Sequence, residues 1–304
     1  MKKYFTYSLI TILCIILADR GIGIMLDYLS KHQKSNIIYE TRYKLNKAKP
    51  ELVILGSSRA NHHYNTLAIQ KATALKTMNY GMDGTDLFID YVLISHLLNA
   101  PTNNIKTVIV DIKPQELESP PANSYITRLY PFVGEIKEIE ENANTYTKYE
   151  SIKLLSYSYR YNDYLTTLIS GYQNSNHDTV PITGFRPINN MQDQNLKKTT
   201  LSKKELNQET IEYLWKVVRL CKEKKVQVVV AMSPAYIKNI QEMATYQYLQ
   251  TFTQQNDIPF LYYGDWKSIS KSMYYADCPH LNQLGASIFS EQFALDIKTI
   301  LIKS

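Results

Sequence analysis

Short apolar runs alternate with amphipathic segments along most of this chain. Residues 51–55 (ELVIL) form a run of strand length that stops at Gly56. Residues 66–73 have helical spacing. Residues 75–78 (LKTM) make a second strand-length run closed by Asn79-Tyr80-Gly81. Helical spacing returns at 86–98, and 106–110 (KTVIV) predict a third strand. After a long interval the rhythm resumes. A helix is expected over 202–224, the strongest strand over 226–232, a helix over 239–255, a short strand over 259–262 and a closing helix over 284–301. Strands alternating with helices predict a parallel sheet covered on both faces, an α/β three-layer sandwich of flavodoxin-like type. Ligands of such sheets sit at the carboxyl ends of the strands.

The interval at about 119–200 differs. It is rich in Tyr, Asn, Thr and Ser, has no apolar run of strand character, and carries Pro120-Pro121, Pro131, Pro181 and Pro187. A structureless loop of this length is implausible inside a compact domain, so an insertion of helices and loops is expected. The other departure is residues 1–28. Lys2 and Lys3 precede an apolar run at 5–18, which is short for a span of about 20 residues. It extends through 21–26 if Asp19 and Arg20 are tolerated, by pairing with each other, by pairing with a neighbouring helix, or by snorkelling. Positive charge ahead of the run favours a cytoplasmic N-terminus and translocation of the rest. A cleaved signal peptide and a buried core helix are the competing readings. Ile16-Leu17-Ala18 is a poor cleavage site, and Leu13 before Cys14 makes a poor lipoprotein site. The expected plan is an anchor at 1–28, a helical or stalk segment at 29–48, and one α/β domain at 49–304.

Composition narrows the function classes. The 44% apolar and 20% charged fractions are those of a packed globular chain. The net charge of +6 is spread out, without a basic stripe interleaved with aromatics, which argues against nucleic acid and leaves anionic glycan or lipid as weak attractions. Cys14 lies in the apolar run, so Cys221 and Cys278 alone remain for the globular part, as free thiols or one bridge. A disulfide-built fold is excluded, and no CxxC or His–Cys spacing suggests a metal. His62 and His63 have no suitably spaced carboxylate or thiol partner either.

Two motifs carry candidate chemistry. The first runs a buried strand directly into Gly56-Ser57-Ser58-Arg59, a turn that exposes a hydroxyl beside the free N–H groups of a helix N-terminus. The second is Asp277-Cys278-Pro279-His280, ahead of the closing helix. There a His can take the proton of a serine while a carboxylate holds its tautomer.

Together these blocks, at opposite ends of one α/β pattern, resemble the SGNH (GDSL-type) hydrolase superfamily. The Gly56-Ser57-Ser58-Arg59 form is similar to its membrane-anchored envelope branch, which acts in D-alanyl transfer to teichoic acids and O-acetylation of exopolysaccharides. The resemblance covers about 50–115 and 203–300. It implies Ser58 as nucleophile, His280 as base and Asp277 as its orienting acid, with Ser57 one residue early for that register. It also implies an oxyanion hole from the N–H groups of Ser58 and Gly81. Where the family has Gly-x-Asn-Asp, this chain has Val110-Asp111-Ile112-Lys113. A carboxylate repels an oxyanion, so backbone N–H groups or another donor must serve, and Asp111 is free for backbone N–H groups or Arg59. Arg59, Asn79, Asp111 and Arg186 are the expected substrate contacts.

The implied activity is a serine esterase or O-acyltransferase on ester-linked acyl groups of an envelope glycan, outside the cytoplasm. No cofactor or metal is implied. Its partners are an acyl donor, a glycan acceptor and a membrane acyl-transfer protein. The alternative is a catalytically weak glycan- or partner-binding module. For a transferase, the 119–200 segment is expected to cover the carboxyl end of the sheet with a groove lined by several of Tyr125, Tyr130, Tyr157, Tyr159, Tyr161 and Tyr172.

Overall fold

A computed structural model describes residues 2–173, 182–189 and 196–303. In chain order the elements begin with α1 (Lys2–Lys31), α2 (Ile37–Asn46), β1 (Leu52–Gly56), α3 (Ser58–His63), α4 (Thr66–Thr73), β2 (Thr77–Asn79), α5 (Leu87–Asn99) and β3 (Thr107–Asp111). Three short helices follow, α6 (Lys137–Asn142), α7 (Glu150–Lys153) and α8 (Leu165–Gln173), among 3₁₀ turns. The pattern closes with α9 (Gln208–Glu223), β4 (Gln227–Met232), α10 (Ala244–Gln255), β5 (Phe260–Tyr262) and α11 (Gln283–Lys303). The chain divides into two compact units, Met1–Leu45 with Asn123–Pro181, and Asn46–Ala122 with Ile182–Ser304.

The second unit is the expected α/β sandwich. Its five strands are all parallel, in the order β2-β1-β3-β4-β5. Alternate strand residues face opposite sides. Leu52, Ile54, Ile109, Val229 and Ala231 pack with Ile69 of α4 and Phe289, Phe293 and Ile297 of α11. Val53, Leu55, Val108, Val110 and Val230 are equally buried on the other face, where α5 and α9 lie. Burial on both faces explains why these strands read as continuous apolar runs rather than alternating ones. In this strand order the chain reverses direction between β1 and β3, which opens a crevice at their carboxyl ends.

Several boundaries differ from the sequence expectation for local reasons. The second strand starts at Thr77, because Ala74 is left-handed and closes α4. The helix expected from 202 starts at Gln208, where the Asn207 side chain accepts from Thr210 N–H at 3.0 Å. The helix expected from 239 is a 3₁₀ turn at Ile240–Glu242, then an extended Met243, then α10. The short α3 is the helix whose N-terminus was expected beside the Gly56-Ser57-Ser58 turn.

In the first unit α1 is one uninterrupted helix, long and apolar enough to cross a membrane. The 29–48 segment is not a free stalk. α2 buries Ile38, Thr41, Lys44 and Leu45, and Arg42 is hydrogen-bonded to Glu135. The 119–200 stretch belongs partly to each unit. Within the first unit Tyr159 donates to Glu150 at 2.5 Å and Tyr161 to Asp27 at 3.2 Å. Tyr130 is buried there, and Tyr157 lies against Gly23. The Tyr172 side chain lies outside the described residues.

Candidate active site

The site is built at the crevice between β1 and β3. At the end of β1 the backbone must turn sharply while Asp111 lies directly alongside in register with Gly56. Gly56 has φ +136°, and a Cβ there would lie 2.8 Å from the Asp111 carbonyl oxygen. Only glycine takes that conformation at that distance. Ser58 then opens α3, so its N–H has no acceptor one turn back in the helix.

Ser58 Oγ lies 2.7 Å from His280 Nε2. His280 Nδ1 lies 2.8 and 3.0 Å from the two Asp277 oxygens, and Asp277 Oδ1 also accepts the His280 backbone N–H at 2.9 Å. A carboxylate on Nδ1 leaves the proton there, and Nε2 becomes the acceptor for the serine hydroxyl. The structure thus brings Ser58, His280 and Asp277 together in relay order across more than two hundred residues of chain. Ser57 points elsewhere: its Oγ is buried without a partner.

The loop carrying His280 is held by residues the sequence did not single out for this task. His63 is fully buried, accepts the Leu281 N–H at Nε2 (2.9 Å) and faces Ser233 Oγ with Nδ1 (3.0 Å). Accepting at Nε2 requires a neutral ring with its proton on Nδ1, and burial holds its pKa well below the ordinary value. His63 is therefore a bracket for the loop rather than a metal ligand. Tyr236 N–H also donates to the Cys278 carbonyl, at 2.7 Å.

Two of the four expected substrate contacts, Asp111 and Asn79, are corrected. Asp111 is buried. Its Oδ1 accepts Tyr64 Oη–H (2.6 Å) and Ser233 N–H (2.8 Å), its Oδ2 accepts Ser233 Oγ–H (3.2 Å), and Arg59 Nε is 4.0 Å away. The side chain of Arg59 runs beneath the site to Ser233 Oγ, 3.1 Å from Nε and 3.0 Å from Nη2, and also binds the Ser233 carbonyl. Asn79 is fully buried and donates to the Ala60 carbonyl at 2.6 Å. Asp111 and Asn79 are thus held by protein partners and turned away from a ligand, whereas Arg59 borders the cleft and its Nη1 is buried without a hydrogen-bond partner. Arg186 is exposed on a strap beside α3. Its N–H donates to the Asn61 carbonyl at 2.9 Å and its carbonyl receives His62 Nδ1–H at 2.5 Å.

The oxyanion expectation for Gly81 is also corrected. Its N–H donates to Asn79 Oδ1 at 2.8 Å. Glycine is needed at 81 for close approach instead, because a Cβ would lie 2.5 Å from Asn61 N and 2.8 Å from Ala60 Cβ on α3.

His62 sits on the open side of α3, edge-on to His280 with ring centroids 5.7 Å apart. Its Nε2 is 3.2 Å from Asp83. Burial pulls its pKa down, but the bonds to Asp83 and the Arg186 carbonyl outweigh this and hold it above the ordinary value. The same bond, with one from Asn61, holds Asp83 down to about 2.

A cleft of about 440 Å³ opens on Ser58 and His280. Its walls include Pro114, Ile237 and Pro279, and one side carries Asp86, Lys113 and Glu116. Lys113 Nζ pairs with Glu116 at 3.2 Å. Behind them Asp90 accepts the Gly56 N–H at 3.0 Å. Burial, then Glu116 and Asp86, push the Asp90 carboxyl well above the usual range. An acid in the apolar run Leu87-Phe88-Ile89-Asp90 was a legible signal that sequence reasoning passed over. Among the described residues no group of His, Cys, Asp and Glu is arranged to hold a metal ion.

No family model and no curated protein matches this chain. Among solved structures it is similar to a protein from Bacteroides fragilis, provisionally described as an acylhydrolase. They share 14% identity over 87% of this chain and 99% of that one, with a TM-score of 0.42. It is also similar to a protein from Streptococcus pneumonia, provisionally described as a platelet activating factor, at 10% identity over 96% of this chain and 98% of that one, with a TM-score of 0.34.

Proposed function

We propose that this protein is a serine-dependent esterase or O-acyltransferase of the SGNH type, acting on ester-linked acyl groups of a cell-envelope glycan. The observation that carries the reading is the continuous relay from Ser58 Oγ through His280 to Asp277, at 2.7 and 2.8 Å, beside an open cleft. In this reading Ser58 Oγ attacks the acyl carbonyl and its proton passes to His280 Nε2. Asp277 stabilises the imidazolium. The Ser58 N–H faces the developing oxyanion. Collapse of the tetrahedral species expels the alcohol, which takes the proton from His280. Water or a glycan hydroxyl then removes the acyl group by the same steps in reverse. The test is hydrolysis of p-nitrophenyl acetate by the full chain and by Ser58→Ala. Equal rates would end the serine reading.

The placement proposed is a single span by α1 with the globular part outside the cytoplasm, supported by the length and apolarity of α1 and by Lys2 and Lys3 ahead of it. Protease added outside an intact inner membrane should digest the globular part, and full protection would contradict the orientation.

One observation favours a second reading, a catalytically weak module that binds glycan or a partner. With Gly81 N–H donated to Asn79, one expected oxyanion donor is engaged. Loss of one such donor costs about 10²–10³ in turnover in a well-studied protease. Binding of glycan oligomers without ester turnover, unchanged in Ser58→Ala, would select this reading.

A further inference from the structure

The apolar stretch of α1 is too short for the bilayer that it would cross. Tyr4 to Ala18 are fifteen uncharged residues, about 22 Å at 1.5 Å per residue. The hydrocarbon layer is about 30 Å thick. Lys2 and Lys3 limit one end. A membrane crossed by α1 therefore extends past Asp19 to about the level of Gly23.

At that level α1 is not alone. Asp19 Oδ1 accepts Ser156 Oγ–H at 2.6 Å and Ser158 N–H at 3.1 Å, and Oδ2 accepts Tyr157 N–H at 2.9 Å. A Cβ on Gly23 would lie 2.2 Å from Tyr157 Cβ, so the 156–158 turn is seated against the helix between Asp19 and Gly23. This turn surrounds the carboxylate with donors, which is how an acid is accommodated at membrane depth. Beyond it the segment climbs along α1 away from that level. Tyr161 bonds Asp27 at 3.2 Å, and Gln33 bonds the Leu168 carbonyl at 3.1 Å.

Next to the turn, Ile152 and Leu155 are 62% and 63% exposed, a level matching the lipid-facing residues of α1 such as Ile15 at 63% and Leu17 at 62%. Tyr149 is exposed beside them, with Lys148 over its ring at 5.3 Å. Apolar tips flanked by Tyr and Lys are the composition of a segment lying in the membrane interface.

We propose that residues 149–155 form a second membrane contact. Ile152 and Leu155 enter the outermost hydrocarbon of the leaflet nearer Lys31, continuous with the apolar surface of α1, and Tyr149 and Lys148 sit among the headgroups. The proposal rests on α1 spanning the bilayer. With Asp19 as the clasp, it sets the first unit at a fixed depth rather than on a loose tether.

The test uses the full chain in phosphatidylcholine–phosphatidylglycerol vesicles, with Cys14→Ser and Cys278→Ser and with Cys221 left buried. Spin labels are placed at Ile152→Cys or Leu155→Cys. Reference labels go to Ile16→Cys in α1 and Leu67→Cys, an exposed residue of the second unit. All four side chains are exposed, so replacement leaves the packing intact. Collisions with oxygen should exceed those with a water-soluble nickel chelate at 152 and 155, as at 16, and the reverse should hold at 67. If the chelate dominates at 152 and 155 while oxygen dominates at 16, the span stands and the second contact is wrong. If the chelate dominates at 16 as well, the span and the contact fail together.

Discussion

Replacing Asp111 with alanine separates a structural acid from a chemical one. The Asp111 carboxylate binds Tyr64, the Ser233 N–H and the Ser233 hydroxyl, and it is the acid facing Arg59 at 4.0 Å. The two charged side chains are 0% and 2% exposed. Removing the acid leaves a buried guanidinium without its counter-charge, and breaking such a pair costs about 3–5 kcal/mol. The Tyr64 hydroxyl and Ser233 N–H lose their acceptor too, so the loss is not expected below that range. For a unit of about 200 residues, where 1 kcal/mol moves Tm by about 2–4 °C, Tm should fall by about 6–20 °C. The assay is thermal unfolding of the full chain in detergent micelles, followed by circular dichroism. Ester hydrolysis is measured alongside it, at a temperature where both forms are folded. There kcat/KM should fall by no more than about tenfold, or 1.4 kcal/mol, because Asp111 reaches the site indirectly, through Ser233, His63 and Arg59. Asp111→Asn keeps the size and one acceptor oxygen and should fall between wild type and alanine in Tm. An unchanged Tm with turnover abolished would refute the reasoning and return Asp111 to the chemistry.

Asp277→Asn should lower kcat by about 10²–10⁴, the usual contribution of general acid–base catalysis, with little change in Tm because Asp277 is exposed; a rate close to wild type would remove Asp277 from the relay. Gly81→Ala should cost about 1–3 kcal/mol by overpacking and also lower turnover, since the new Cβ presses on Asn61 and Ala60 of the helix that Ser58 opens; unchanged unfolding would contradict the close approach. Asp90→Asn tests linkage. Because folding raises the Asp90 pKa, the folded state holds its proton longer, and stability falls as pH rises above the usual carboxylate range toward the raised value. The asparagine variant, which can still accept from Gly56, should therefore gain Tm relative to wild type at pH 7–8 and not at pH 4. A gain equal at both pH values would exclude ionisation as the cause.

The order of strands and helices was legible in the residues because periodicity is local: a run such as 226–232 reads as a buried strand whatever surrounds it. The Gly-x-Ser turn and the short Asp-to-His spacing were legible as local conformations, but the pairing of Ser58 with the Asp277–His280 loop was implied by the resemblance of the two blocks to a known family. Asp111 was legible as an acid with structural partners, one of the two roles its departure from the family pattern left open. Other features came only from the tertiary structure. Asn79 and Gly81 look like ligand contacts in one dimension, yet Ala60 and the Asn79 side chain occupy their polar atoms in three. His63 looks like a stray imidazole until Leu281, from the far end of the chain, arrives to donate to it. Asp19 looks like an interruption in an apolar helix until Ser156 and Ser158 close around it. The physical reason is the same in each case. A side chain's type decides which bonds it can make, but burial and the arrival of partners from distant residues decide which bonds it does make, and so whether any remain for a ligand.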